Sequence, residues 1–456
     1  MWSKIELHRV LLKTCGLFFM LIVGIFLLAA CDKDEPQEAV ITIDPDMHYQ
    51  TIVGWEATAQ AGQDFASFPE FGPKLLFSAV NELGINRLRL EVRSGSENGS
   101  DVASPGSGKK RYEIVNDNDD PFVINDDGFH FTELDAVVEQ VVIPMRKLST
   151  ERGDTLLINL NYVDFGPSDF EHKDHPEEYA EFILAVFLHM KDKYGFVPDT
   201  LEVILEPDTD SANWTATQIA DAIVATSRRL KAKGFAPGFV TPSTTDAAQA
   251  VTYIDEIAAV PGAMNDVVEF SYHRYSGATD EVLKAIAERA SLHSKHTSML
   301  EWIGADHHTL HKDLKLANVS AWQQYTLAYS GRDNGGAYYK IDSESLGPAI
   351  RMGRRTRLLR QYFNCLRPGM VRVEAASSNS NFDPIAFEKT EGTASVVIKA
   401  DLPGNISVRG LQPGRYSVSY TTDDSAVQPD TRVIAPGEDL TVSIPSAGVL
   451  TICGEQ

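Results

Sequence analysis

Cysteine is scarce in this chain: four occur among 456 residues, with no CxxC pair and no Cys/His spacing of a zinc site. No GxGxxG follows the first strand-like run, and no P-loop lysine motif occurs, so the nucleotide-binding signatures are missing. Positive charge is also in short supply. Lys and Arg number 41 against 64 Asp and Glu, a net of −23, which argues against nucleic acid or an anionic membrane face as a partner. What is present suits a folded protein. At 43% hydrophobic, 23% charged and 9% aromatic, the composition is neither disordered nor collagen-like. The length allows one large barrel and a smaller second domain, each with its own core.

The N-terminus reads as an address label. Lys4, Arg9 and Lys13 precede an apolar segment, residues 17–28, shorter than the ~20 residues needed to span a bilayer. Leu28-Ala29-Ala30-Cys31 resembles a bacterial lipobox, which implies loss of residues 1–30 and lipid on Cys31. Asp32-Lys33-Asp34-Glu35 is similar to the export signal of surface lipoproteins in Bacteroidetes-type bacteria, implying an outer-membrane or cell-surface location. Cleavage removes three cations and Glu6, so the mature chain stands at −25. Beyond Cys31 only Cys365 and Cys453 remain. They either pair, as export would permit, or stay as two buried thiols.

Past a short linker (31–38), residues 39–44 alternate apolar and polar, which predicts a strand that joins the C-terminal domain. Apolar runs then recur at 51–55, 85–92, 155–162, 201–206, 237–242, 267–273, 297–301 and 335–341. Helical patterns separate them at 72–83, 132–148, 176–193, 216–232, 280–292 and 312–328. Eight such runs alternating with helices predict an α/β protein whose residues 51–366 form a (β/α)8 barrel. The longest interruption, 93–131, contains Asn116-Asp117-Asn118-Asp119-Asp120-Pro121. It lacks the spacing and closing glutamate of an EF-hand and reads first as a solvated acidic loop, second as a calcium loop. After Arg367-Pro368-Gly369 the pattern changes to short alternating runs divided by Gly, Pro, Asn and Asp. Residues 367–456 are therefore expected to form an antiparallel β-sandwich.

Two of the barrel runs end on glutamate: Leu205-Glu206-Pro207 and Leu300-Glu301-Trp302. A carboxylate at the end of a buried strand is costly to desolvate, and the C-terminal mouth of a barrel is where such groups do chemistry. The two lie 95 positions apart, which three βα units of roughly 30 residues would span. They therefore sit on the fourth and seventh strands, facing each other. Paired carboxylates are the minimum for glycoside hydrolysis, retaining at about 5–5.5 Å separation and inverting at a wider one.

A glutamate before proline ending the fourth strand, with a second ending the seventh, resembles clan A of the glycoside hydrolases. The likeness extends to family 30, from Tyr49-Gln50-Thr51-Ile52-Val53-Gly54-Trp55 to the junction Tyr362-Phe363-Asn364-Cys365-Leu366-Arg367-Pro368-Gly369. It implies a retaining enzyme acting on β-glycosidic bonds of a polysaccharide or oligosaccharide, without cofactor or metal. Glu206 would be acid/base and Glu301 nucleophile. Two departures stand out. Leu205 replaces the asparagine that normally precedes the acid/base, and Asn161-Tyr162-Val163-Asp164-Phe165-Gly166 replaces a Trp/Pro-rich segment after the third strand.

Further site residues are expected around the pair. Arg89 matches the clan's second-strand arginine, which would hold the nucleophile ionised, or it serves a structural ion pair with Glu91 or another carboxylate. His273 and Tyr275 match positions that touch substrate or nucleophile, with a wall role as the alternative. Asn161, Tyr162 and Asp164 are sugar contacts by position. Trp55, Trp214 and Trp302 are candidates for stacking on a sugar face, Trp302 foremost because it adjoins Glu301. His307-His308-Thr309-Leu310-His311 has the i, i+4 spacing of a zinc pair but no HExxH, so it reads as a cleft-lining loop. Two other functions remain: a surface glycan-binding protein without catalysis, which Leu205 favours, and a metal-dependent hydrolase on the histidine cluster.

Overall fold

The computed structural model describes residues 36–455, apart from 101–110, 167, 332, 345–346 and 390–391. The leader and the lipid site Cys31 lie outside the described residues. Strand β1 (Gln37–Thr51) starts inside the expected linker and runs past residue 44. Eight parallel strands follow: β2 (Gly54–Thr58), β3 (Arg87–Arg93), β4 (Leu157–Val163), β5 (Thr200–Glu202), β6 (Gly238–Asp246), β7 (Val267–Ser276), β8 (His296–Glu301) and β9 (Val319–Trp322). They pair in chain order, and β9 returns beside β2, with Trp55 opposite Trp322. The sheet is a closed (β/α)8 barrel.

Its eighth strand is not the expected one. Residues 319–322 fall inside the stretch read as helix 312–328, whereas 335–341 belongs to a strand outside the closure. The helix at His307–Lys312 continues through a π turn to Ala317 and stops at Asn318, whose φ of 52° is a left-handed cap. Four residues are too short to show a period, so only that asparagine marks the break. Outside the barrel, β10 (Thr326–Tyr329) pairs with β2 and with β11 (Ala337–Glu344), which pairs with β12 (Gly347–Met352). The helix at Ala216–Ala232 is as read, opened by a capping box between Thr215 and Gln218.

The strand phases explain where the core sits. In β3, Leu88, Leu90 and Val92 enter the apolar core shared with the surrounding helices, while Arg87, Arg89, Glu91 and Arg93 take the opposite phase. All four charged residues are buried nearly completely. Charge in this strand is not confined to the mouth: Arg87 lies between two buried carboxylates, Glu56 and Glu269.

The C-terminal domain is a nine-stranded sheet of β1 with β13 (Val371–Ser377), β14 (Phe382–Glu388), β15 (Ala394–Ala400), β16 (Gly404–Arg409), β17 (Gly414–Thr422), β18 (Ala426–Ile434), β19 (Leu440–Ile444) and β20 (Gly448–Gly454). Strand β1 runs antiparallel to β13 and parallel to β16. Both ends of the sheet, Ile434 of β18 and Val442 of β19, enter one core, so the sheet folds over itself as a sandwich. Val396 and Ile398 face that core, and Val397 between them joins the barrel core. Burial on both faces explains why this run reads as continuously apolar. Cys365, at the end of helix Arg354–Cys365, forms a disulfide with Cys453 of β20, Cα atoms 5.4 Å apart. Of the two readings for these cysteines, pairing holds.

Candidate active site

Glu206 and Glu301 converge at the C-terminal mouth of the barrel. One carboxylate oxygen of each, together with a ring nitrogen of His273, lie within 4.8 Å of one another. Their side chains are 16% and 10% exposed, so the pair is sheltered yet reaches solvent.

The backbone leading to Glu206 is not a plain strand. Beyond Glu202 the ladder becomes irregular but stays pinned: Leu205 N–H donates to Tyr162 O (3.0 Å) and Glu206 N–H to Ser243 O (3.1 Å). Glu206 itself has φ 51°, which for a side chain other than glycine costs on the order of 1 kcal/mol. Its carbonyl accepts the hydroxyl of Thr209 at 2.9 Å. Asp208 fixes the following turn by accepting from the N–H and hydroxyl of Thr245 (2.7 and 2.8 Å). The strain is held by neighbours that aim the carboxyl into the mouth.

The two glutamates have different surroundings. Glu301 receives Arg89 Nη1 at 2.8 Å and the Tyr275 hydroxyl at 2.9 Å. Among the described residues, the Glu206 carboxyl meets only the ring Nδ1 of His273, at 3.0 Å, and the Nε2 of that ring is buried without a partner there. Burial pushes the Glu301 carboxyl above its ordinary value; His273 and Arg89 pull it down, and the charge of Glu206 adds to the rise. Arg89 makes a structural ion pair, with a carboxylate other than Glu91, and touches Glu301 as well. Fully buried, it grips Glu301 with one nitrogen and Glu202 with the other two, Nε at 2.8 Å and Nη2 at 2.5 Å. Its ion-pair partner is Glu202, not Glu91, which pairs with Arg93 at 2.7 Å.

Beneath Arg89 lies a second layer of charge. Arg87 binds Glu56 (2.6 Å) and both oxygens of Glu269 (2.7 and 2.9 Å). Asn159 donates to Glu56 and Glu202, each at 3.2 Å, which links the layers. Burial drives the Glu56 carboxyl up to about 7 against the pull of Arg87. For Glu269 burial pushes upward, but the charge and hydrogen bonds of Arg87, together with Ser298 and His296, hold the carboxyl below its ordinary value.

Not every expected residue reaches this site. Tyr162 takes the outward phase: fully buried, it hydrogen-bonds His172 Nδ1 (2.7 Å) and packs edge-on against Tyr179, Phe182 and Trp214. It does not line the mouth. Asn161 points the other way but is wholly buried, with neither amide atom partnered. Asp164 accepts from the Ser94 hydroxyl at 3.0 Å. Trp55 stacks on Phe363 and donates to Leu366 O, and Trp214 is likewise core, so neither is free to hold a sugar. Trp302 is half-buried beside Glu301, with the Arg274 guanidinium 5.6 Å from its ring. The histidine cluster is not a cleft loop. His311 contacts the Tyr362 hydroxyl (2.9 Å) and Asp383 of the β domain (3.1 Å), and the described residues gather no trio of ligand atoms there.

Sequence reading missed Glu202, Glu56 and Glu269, each a lone glutamate inside an apolar run, which is itself the available signal. It also missed Tyr325, after β9, whose phenol is made less acidic by burial and by the charges of Glu91 and Glu301. Glu206, His273 and Glu301 are chemically able to hold a cation, but the Arg89 charge on Glu301 opposes one. A 490 Å³ cavity opens at the ends of β2 and β3, lined by Gln60, Glu91, Arg93, Arg111, Glu133 and Tyr329 among others; neither Glu206 nor Glu301 lines it.

No protein-family model matches the chain, and comparison with curated protein sequences finds no match. Solved structures do resemble it. The catalytic domain of a GH30 xylanase C from Talaromyces cellulolyticus superposes with a TM-score of 0.68 at 18% identity, covering 91% of this chain and 100% of that one. A GH30 endoxylanase from Clostridium papyrosolvens gives 0.66 at 15%, covering 91% and 100%. The endo-β-1,6-glucanase BT3312 gives 0.63 at 15%, covering 90% and 93%. At such identities the likeness establishes a shared fold, that of glycoside hydrolases.

Proposed function

We propose that this protein is a retaining glycoside hydrolase that cleaves β-glycosidic bonds in a polysaccharide or oligosaccharide by double displacement. The observation that carries the reading is the approach of the two carboxylates to within 4.8 Å. Retaining chemistry needs about 5–5.5 Å between the groups, and an inverting enzyme about 6.5–9.5 Å to admit water. The asymmetry of their partners supports the roles. Glu301, held by a guanidinium and a phenol, is favoured as the anion that attacks the anomeric carbon. Glu206, facing only an imidazole, protonates the leaving oxygen and then takes the proton of the incoming water.

Arg89 acts as a positioning residue: its other nitrogens are locked on Glu202, so the one on Glu301 cannot swing away. The cavity at the ends of β2 and β3 offers amide, carboxylate and guanidinium groups, the chemistry that recognises sugar hydroxyls. Leu205 offers no side-chain donor, so hydrogen bonding to the sugar 2-hydroxyl falls to other residues. The similar structures named as GH30 xylanases and an endo-β-1,6-glucanase support a glycan as substrate and a likeness to family 30.

Incubation with a panel of polysaccharides should release reducing ends from at least one. Proton NMR of the first products should show the β-anomer before mutarotation. Initial release of the α-anomer would refute double displacement, and no release from any substrate would refute the enzyme. We also propose export with a lipid anchor on Cys31, a location in which the Cys365–Cys453 disulfide would persist. Fatty-acid labelling in a bacterial host should mark the wild type and be lost in Cys31→Ser; labelling of that variant would disprove the anchor. Among the described residues no helix is long and apolar enough to cross a membrane.

A further inference from the structure

The acidic loop Asn116-Asp117-Asn118-Asp119-Asp120-Pro121 plays no part in the site above, yet its first residues are not solvated. Oxygens of Asp117, Glu178 and Glu181 lie within 4.8 Å of one another. Glu181 is 1% exposed and Glu178 8%. We propose that Asn116, Asp117, Glu178 and Glu181 bind one divalent cation of the calcium type, which fastens the long connection after β3 to the first turns of helix Pro176–Tyr194.

Proximity of acids alone would not carry this. The second observation is a set of orphaned oxygens: Asn116 Oδ1, Asp117 Oδ1, Glu178 Oε2 and both oxygens of Glu181 are buried without a hydrogen-bond partner. A buried carboxylate oxygen left unmatched is costly, and native proteins seldom leave several together. The loop is otherwise well satisfied. Asp117 Oδ2 accepts from the Asn118 amide (2.8 Å) and from Asn125 N–H (2.5 Å), and Glu97 accepts Asp117 N–H (3.2 Å). The unmatched atoms are those turned to the shared space.

The charges leave room for a cation. Arg229 approaches Glu181 no closer than 3.8 Å, and it is engaged elsewhere, donating to Glu177 O (2.9 Å) beneath the Phe122 ring. One guanidinium does not balance three carboxylates. The donors are all oxygen, mostly carboxylate, and lie partly on a loop. That set suits Ca²⁺, which takes 6–8 oxygens in flexible geometry, better than zinc, which favours His and Cys.

The consequence reaches the barrel rim. From Glu97 the contacts run to His172 (2.7 Å) and on to the Tyr162 hydroxyl (2.7 Å). The cation would thus order the wall beside the third strand.

The test is calcium titration of the EDTA-treated mature protein by calorimetry, paired with thermal unfolding. One Ca²⁺ should bind per chain and raise the melting temperature by several degrees. Glu178→Gln/Glu181→Gln should fold, since amides can satisfy each other, but lose both the heat and the shift. Glu206→Gln/Glu301→Gln should still bind one ion. The proposal is overturned if the treated wild type shows neither heat nor shift, which would mean the glutamates share a proton instead. It is also overturned if calcium binding survives in the first double variant or disappears in the second.

Discussion

Glutamine at position 301 should leave the fold intact and abolish turnover of every substrate, whereas glutamine at 206 should leave a rate that depends on the leaving group. The difference follows from the roles. Without the Glu301 anion no glycosyl-enzyme bond forms, whatever departs. Without the Glu206 acid, hydrolysis of an ordinary glycan should slow by about 10²–10⁴-fold. An aryl glycoside whose phenol leaves unaided should keep a fast first step, seen as a burst of phenol in stopped-flow. Neither variant should unfold the protein. Glu206 reaches solvent, and losing the Glu301 charge still leaves Arg89 its two-nitrogen bond to Glu202.

The pH profile gives a separate reading of the same pair. Activity requires Glu301 to be ionised, so it is lost as pH falls through the folded-state value. Burial raises that value, so the acid limb of kcat/KM should lie above 4.5, the ordinary glutamate value. In Glu206→Gln the acid limb set by Glu301 should remain. Equal losses in both variants on both substrates would sink the assignment.

How much of this was legible beforehand depends on the physics each feature rests on. Glu206 and Glu301 announced themselves because a charge ending an apolar run is improbable without a use. Arg89, His273 and Tyr275 followed from the resemblance to clan A, whose site positions they match. Tyr162 was misplaced by phase: at a strand end, one residue separates a side chain that faces the mouth from one that faces the helices. Its neighbour Asn161 has the inward phase. Strand β9 was illegible because it has four residues, all buried, beside a helix of similar composition. The interior charge was half legible. Arginines on one phase of β3 were visible, but their partners Glu56, Glu202 and Glu269 come from three distant runs, and only closure of the barrel brings them together.

That interior network yields the largest expected effect on stability. Arg87→Met, close in volume but uncharged, should destabilise the protein by about 3–5 kcal/mol, the cost of leaving a buried carboxylate without its partner. Here two would be stranded, Glu56 and Glu269, both wholly inside the barrel. The loss should depend on pH, and its sign can be worked out from Glu56. In the wild type its folded value, about 7, exceeds the ordinary 4.5. The folded state therefore holds a proton that the unfolded chain gives up between those limits. Below pH 4.5 both states are protonated and Glu56 carries no penalty; as pH rises to 7 the penalty grows. Removing Arg87 takes away the charge that lowers both carboxyls, so the penalty extends to higher pH and includes Glu269. Chemical denaturation of Arg87→Met should thus show a deficit that is small near pH 4.5 and large at pH 8. Adding Glu56→Gln and Glu269→Gln should recover much of it at pH 8. A deficit that is the same at both pH values would mean that lost packing, rather than stranded charge, limits this barrel.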